Sequence, residues 1–526
     1  MKGINSSRFS FTSGSLASLR GWYLAGAVAA AALAVYLATL APGLTFANYG
    51  TDGGDLIAAA RTLGVPHPSG YPTYTLLAWL FTRLPVGVIA YRVNLFSAVC
   101  AAGAVGLFFA SAQRLLPDGE HPLLLPVTAS LTLAFSTLLW SQAVITEVYA
   151  LLTLFAALLL WLLVRWRDGG RDWLLWMFAF GFGLGLGDHL TLVFVAPAAL
   201  IFLWPERRRW FRVRVLLPAA VLFVLGLSIY LYLPLAARHR PPVNWGNPQT
   251  WRGFLWVVTG KQYQGFAFGL GLEELPYRLF AWAQLLGDQF GWWGLALALV
   301  GGWGWWNRDR WFALFGLVWM FLVGLYAFFY DTGDSHMYLL PVISLMALWW
   351  GEGVRHLLAW ATTLRPVWQR GLLAVVILLP LASLALHWRS VKPDDDWMIH
   401  AYIYQILDVL EPDALIVVRG DGPTFALWYG IYAEEKRPDV AVVSGPLLAY
   451  IWYRDHIRHL YPHLVVNEPT SAGEVTWDDL VHDLVVSNRS LPAYATDPKD
   501  EWEEWFEFAQ VGESPVQRIH PKSTGP

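Results

Sequence analysis

Charge is scarce in this chain. Asp, Glu, Lys and Arg make up 14% of its 526 residues, against 56% hydrophobic. A soluble protein of that size needs more charge to cover its surface, so the composition indicates a polytopic membrane protein. Cysteine is nearly absent. The one copy, Cys100, lies in an apolar run, which excludes a disulfide framework and a cysteine metal site. The sequence has no P-loop and no dinucleotide fingerprint, so it encodes no nucleotide cradle. It has no internal repeat, which tells against the paired halves of many transporters. No cleavable signal stands out either, since Lys2, Arg8 and Arg20 precede a helix long enough to span. Tryptophan, by contrast, is abundant, and its 31 copies suit interfacial belts as well as core.

A net charge of −3 hides an asymmetry. Residues 389–526 hold 11 Lys/Arg against 23 Asp/Glu, while residues 1–388 hold 25 against 16. The acidic tail also lacks apolar runs of spanning length, so two domains are expected: a membrane domain, 1–388, and a soluble α/β domain, 389–526. In the tail "DALIVV" and "DVAVVS" read as strands, and "TFALWYGIYAEE" between them has helical spacing. "RGDG" at 419–422 reads as the turn after a strand.

Apolar runs of roughly spanning length fall near 22–41, 91–115, 122–140, 145–164, 173–187, 189–204, 214–235, 279–305, 311–330, 336–354 and 371–388. Residues 71–84 are apolar too, but Pro72 and Pro85 leave about a dozen helical residues, too few to cross. "PERRRWFRVR" (205–214) carries five arginines and belongs in the cytoplasm under the positive-inside rule, as do 165–172, 307–310 and the segment with Arg355, Arg365 and Arg370. Counting helices between these loops gives about eleven spans, with residues 71–85 and the acidic domain outside. The polar segments 42–90, 141–147, 188–189, 236–277 and 331–335 then share the outer side. One extracytoplasmic chamber follows more naturally than a through-pore.

Within the loop 42–90, "DGGDLIAAARTLGVPHPSGYP" sets Asp52 and Asp55 three residues apart, on one face of a short helix. N-terminal capping accounts for one carboxylate; the second asks for another role. His67 follows between prolines that fix a rigid turn. Arg92 opens the next span, where either an anion partner or snorkelling explains it. Glu147 and Tyr149 stand at an outer helix end, and an unpaired glutamate there is costly. In "GFGLGLGDHL" the glycines have the spacing of close helix packing, while Asp188 and His189 at the break are expected to line the chamber. Lys261 sits between aromatic runs, as suits a lipid phosphate or an interfacial anchor. "YDTGDSHMY" adds Asp331, Asp334 and His336. No tight ligand spacing supports a metal site.

Several of these stretches belong together. "DGGDLIAAARTLGVPHPSGYPTYTLLAWLF…YRVNLFSA", "WSQAVITEVYAL", "NWGNPQTWRGFLWVVTGKQY" and "GDSHMYLLP" resemble a bacterial membrane-protein family whose animal relatives are transmembrane protein O-mannosyltransferases. The resemblance continues into "RGDGPTFALWY…RPDVAVV" and covers about three quarters of the chain. It implies a GT-C-like fold with a C-terminal extracytoplasmic α/β domain. It also implies an inverting glycosyltransferase of the bacterial inner membrane, using a polyprenyl-phosphate sugar and an acceptor hydroxyl on a protein or glycan. "HPSGYP" and the short helix after it are similar to the "HPP" segment and juxtamembrane helix of protein O-mannosyltransferases. Relatives commonly carry Glu where Asp55 stands, and that departure favours Asp52 as the base.

On this reading Asp52 and Asp55 are catalytic. His67, Arg92, Glu147, Tyr149, His189, Lys261 and Asp334 bind substrate, with Arg92, Lys261, His67 and His189 the candidates for the lipid phosphate. The expected partners are the polyprenyl-phosphate sugar, the acceptor and membrane lipids, with no cofactor and no nucleic acid. Other readings stay open: a transferase acting on a glycolipid or cell-wall polymer, a transporter or flippase with an external sensor domain, or a structural subunit.

Overall fold

A computed structural model describes residues 16–116, 121–393, 396–469 and 475–522. Lys2 and Arg8 lie outside the described residues. All eleven apolar runs form helices. Eight helices are long and apolar enough to cross a membrane, or nine if Leu124–Ala134 and Thr137–Ala143, bent by 62° at their junction, count as one. The other two apolar runs of the expected eleven fall short of that measure of length and composition. Trp173–Leu186 has only 14 residues, and Leu275–Arg308 breaks at Gly291, where the backbone turns to φ 67°, ψ 158°. Residues 71–85 do contain a short helix, Pro72–Thr82. Its 11 residues reach about 16 Å, roughly half the hydrocarbon thickness.

The glycines of "GFGLGLG" serve packing. A Cβ on Gly183 would stand 2.4 Å from the Phe223 carbonyl, and one on Gly226 would stand 2.3 Å from that of Phe180. The helices Trp173–Leu186 and Val213–Leu227 therefore meet backbone to backbone.

The basic loops gather at one end of the bundle. Arg167 pairs with Asp309 at 2.5 Å, Arg114 with Asp168 at 3.6 Å, and Arg308 and Arg355 both with the buried Glu352, at 3.0 and 2.6 Å. Arg209 covers the Trp166 ring at 4.9 Å. These contacts tie segments 165–172, 205–214 and 307–310 and the end of Ser335–Ala361 to a single face, as one side of a membrane requires.

The C-terminal domain is a five-stranded sheet in the order β2-β1-β3-β5-β4. Its strands are β1 (Leu415–Val418), β2 (Ala441–Ser444), β3 (Ala493–Ala495), β4 (Phe506–Gln510) and β5 (Gln517–Pro521). β1 pairs in parallel with β2 and β3, and β5 runs antiparallel to β3 and β4. β1 and β2 are buried on both faces, which explains their unbroken apolar sequences.

This domain docks on the end of the bundle away from the basic loops. The helix Asp421–Trp428 packs on Gly53–Thr62 so closely that a Cβ on Gly54 would lie 2.2 Å from the Phe425 carbonyl oxygen. Only a glycine allows that approach. Trp245 packs against Phe425, Trp428 and Trp452, with ring centroids 5.7–6.2 Å apart. At the edges Arg61 pairs with Glu435 at 3.2 Å, and the His456 ring meets the Pro242 carbonyl at 2.9 Å.

Candidate active site

Asp52 holds the N-cap position of the Gly53–Thr62 helix, yet its side chain makes no capping hydrogen bond. Instead its carboxylate lies 3.5 Å from His67 Nε2 and is 40% exposed to a cavity. Asp55, one turn on, is fully buried behind the same histidine. Its Oδ2 accepts from the His67 backbone N–H at 2.9 Å and faces His67 Nδ1 at 2.7 Å, while its Oδ1 accepts from Trp245 Nε1 at 3.0 Å. The imidazole is thus gripped between two carboxylates, one inside the wall and one in the opening.

The charges follow from that arrangement. Burial opposes a charged His67 ring, but the Asp52 and Asp55 carboxylates overcome it and raise its pKa to about 9. Burial also raises Asp52 to about 6, against the pull of His67, and the carboxylates of Asp334, Asp55 and Asp421 push it the same way. At neutral pH the pair is an ionised Asp52 beside an imidazolium, with Asp52 a stronger proton acceptor than an ordinary aspartate.

The cavity holds about 500 Å³. Helix ends and loops remote in sequence build it: Asp52 and His67, Tyr71, Tyr149, His189, the stretch 259–267, Tyr326 to Tyr338, and Asp421 from the C-terminal domain. Seven tyrosines line it, which gives an aromatic, hydroxyl-rich wall. Asp334 accepts from the Tyr149 hydroxyl at 3.1 Å. Burial lowers His189 to about 4, partly opposed by Asp334. His189 Nδ1 accepts from the Thr191 backbone N–H, so the neutral ring carries its proton on Nε2.

Asp52, His67, Tyr149, His189 and Asp334 therefore converge, and Asp55 supports them from behind. Other candidates fall elsewhere. Arg92 does not reach the cavity: its guanidinium donates to the Val86, Thr82 and Gly87 carbonyls at 2.8–3.0 Å and closes the end of the Pro72–Thr82 helix. Three of its five N–H donors go to backbone, and the structure does not place it at the cavity with the other phosphate candidates. Glu147 is buried just outside the lining, where burial raises its pKa well above the usual range. Asp188, expected to line the chamber, is instead fully buried, and neither of its oxygens has a hydrogen-bond partner among the described residues. Lys261 stands at the rim beside the lining residues Gly260 and Gln264, its Nζ 3.4 Å from Gln264 Oε1. No Lys or Arg is among the described lining residues, and no group of three His, Cys, Asp or Glu among the described residues is placed to hold a metal ion.

Sequence reasoning missed Tyr71, Tyr263, Tyr330 and Tyr338, which look like ordinary interfacial aromatics, and Asp421. The signal for Asp421 is an acid in the turn "RGDG" that follows a strand.

An apolar helical bundle with one acid-lined mouth, closed by a small sheet domain, defines a multi-pass membrane protein of GT-C-like fold. In fold it resembles the ArnT protein of Cupriavidus metallidurans. The structure bound to undecaprenyl phosphate matches with a TM-score of 0.59 at 12% identity, covering 96% of this chain and 99% of that one. The apo structure of the same protein matches with a TM-score of 0.53 over 95% and 98%. In sequence the chain is related to the TMEM260 proteins. Residues 52–210 match the Protein O-mannosyl-transferase TMEM260 N-terminal domain, and residues 399–465 match the TMEM260-associated domain 2. It is 31% identical over 480 residues to Protein O-mannosyl-transferase TMEM260 of Mus musculus, and 25% identical over 460 residues to its Dictyostelium discoideum namesake. Those matches cover 82% and 77% of this chain but only 64% and 55% of the relatives' length.

Proposed function

We propose that the protein is a membrane glycosyltransferase that moves a sugar, mannose by analogy with its relatives' names, from a polyprenyl-phosphate carrier to an acceptor hydroxyl on a protein. One observation carries the reading: a carboxylate of raised pKa, Asp52, faces a tyrosine-lined cavity and is held against an imidazolium that a buried second carboxylate fixes in place. The acceptor oxygen attacks the anomeric carbon while Asp52 takes its proton. The bond from that carbon to the phosphate oxygen breaks, and its electron pair leaves with the lipid phosphate. Direct displacement inverts the anomeric carbon.

The departing phosphate needs donors. His189 Nε2–H, the tyrosine hydroxyls and Lys261 at the rim can supply them, while the imidazolium of His67 stays between the Asp52 and Asp55 carboxylates. The lipid chain then lies along the bundle while the sugar enters. The reaction is assigned to the outer face, because the basic loops at the opposite end fit the cytoplasmic side.

The test is transfer from a labelled mannosyl polyprenyl phosphate to a membrane-impermeant hydroxyl peptide added outside right-side-out vesicles. The wild-type protein transfers the label. Asp52→Asn keeps the shape but the amide takes no proton at neutral pH, so turnover falls about a hundredfold or more. Transfer at a near wild-type rate by Asp52→Asn removes it as the base. Donor binding without transfer or hydrolysis by the wild type overturns the enzyme reading.

A further inference from the structure

The cavity is not made by the membrane bundle alone. Asp421, the first residue of the helix after β1, joins Asp52 and His67 in its lining. Four residues on, the Phe425 ring lies nearly parallel to the His67 ring, with centroids 6.4 Å apart and planes at 16°. The Asp421 carboxylate is exposed and has no hydrogen-bond or ion-pair partner among the described residues. Its position is fixed all the same, because the backbone contact of Gly54 with Phe425 locks its helix onto the Asp52 helix.

An unpaired carboxylate beside Asp52 repels a phosphate, so the donor's anionic group is best placed towards Lys261 and His189, away from the Asp421 side. The lining holds three aspartates against one imidazolium and no Lys or Arg. The opposite partner, the acceptor, then enters along a wall with surplus negative charge. We infer that Asp421 is a specificity-determining residue supplied by the C-terminal domain, which orients the acceptor by pairing with a cationic side chain close to its reactive hydroxyl. This assignment rests on the glycosyltransferase reading of the same cavity. The experiment separates the two.

Two synthetic peptides, identical except for Lys or Glu beside a single threonine, are compared as ligands without donor and as acceptors with mannosyl polyprenyl phosphate. An ion pair changes affinity from about fivefold when solvated to about a hundredfold when desolvated, and this half-open site calls for about tenfold in favour of the Lys peptide. In Asp421→Asn the preference collapses towards unity, in the dissociation constant and in KM rather than kcat. Asp421→Glu retains it, which a purely structural role does not explain. Equal binding of both peptides by the wild type, or an unchanged preference in Asp421→Asn, overturns the inference even if transfer proceeds. A preference that depends on Asp421, with no transfer by the wild type, upholds it as a binding site and overturns the glycosyltransferase reading.

Discussion

The sharpest quantitative consequence of the site concerns pH. On the proposed mechanism Asp52 must be ionised to accept a proton, and its pKa is raised to about 6. On the same mechanism His67 must stay protonated to hold Asp52, and its pKa is raised to about 9. kcat/KM for the donor should therefore rise with pH through about 6, level off, and fall through about 9. Removing the Asp55 charge tests the cause of the upper limb. Asp55→Asn leaves a group of the same shape, but its amide nitrogen must face one of the donors that converge there from His67 and Trp245. One opposite charge at this range is worth about 1–3 pKa units, so the alkaline limb should move down by that amount while the acid limb, set by Asp52, moves far less. The stability sign follows the same logic. A histidine whose folded pKa exceeds its unfolded value stabilises fully below about 6.5 and loses that contribution as pH rises through about 9. Loss of thermal stability over that window should be shallower in Asp55→Asn. The measurement is kcat/KM from pH 5 to 10 for both proteins in detergent, with melting temperatures alongside. An alkaline limb that stays put in folded Asp55→Asn refutes the assignment of that limb to His67.

Gly54→Ala should separate the C-terminal domain from the bundle, because its Cβ meets the Phe425 carbonyl. Overpacking of this kind costs about 1–3 kcal/mol, read as a lower melting temperature and faster proteolysis near residue 393. Arg92→Ala should lower stability through its three lost carbonyl contacts and leave donor affinity intact. Lys261→Ala should do the reverse, weakening the donor about tenfold if it meets the phosphate at the rim; equal donor affinity in wild type and Lys261→Ala excludes that role.

The parts of the site legible in the sequence are those built by short-range chemistry. Asp52, Asp55 and His67 lie within sixteen residues, and a helix start followed by a proline-fixed turn left them few ways to avoid each other. Tyr149, His189 and Asp334 were marked by polarity at apolar helix ends, a signal that survives without knowledge of helix packing. Arg92 carried the same signal but spends its charge on backbone carbonyls, which no side-chain pattern announces. Asp188 was read together with its neighbour, yet successive residues at a helix break point apart, and only His189 faces the opening. Among the apolar helices, composition found all eleven runs but not where one is short or broken. A glycine break and a helix of 14 residues keep their hydrophobicity while losing length. Asp421 was out of reach for a different reason: its neighbours in space are remote in sequence.

That remoteness has a consequence for how the molecule is made. Arg61 and Glu435, which clasp the two parts together, are 374 positions apart. A ribosome releases the Asp52 turn long before the closing domain. Until then the basic carboxylate has its histidine partner but no opposite wall. Assembly order thus acts as a safety catch: the chamber is finished only when the later-made domain seats on the earlier-made loop.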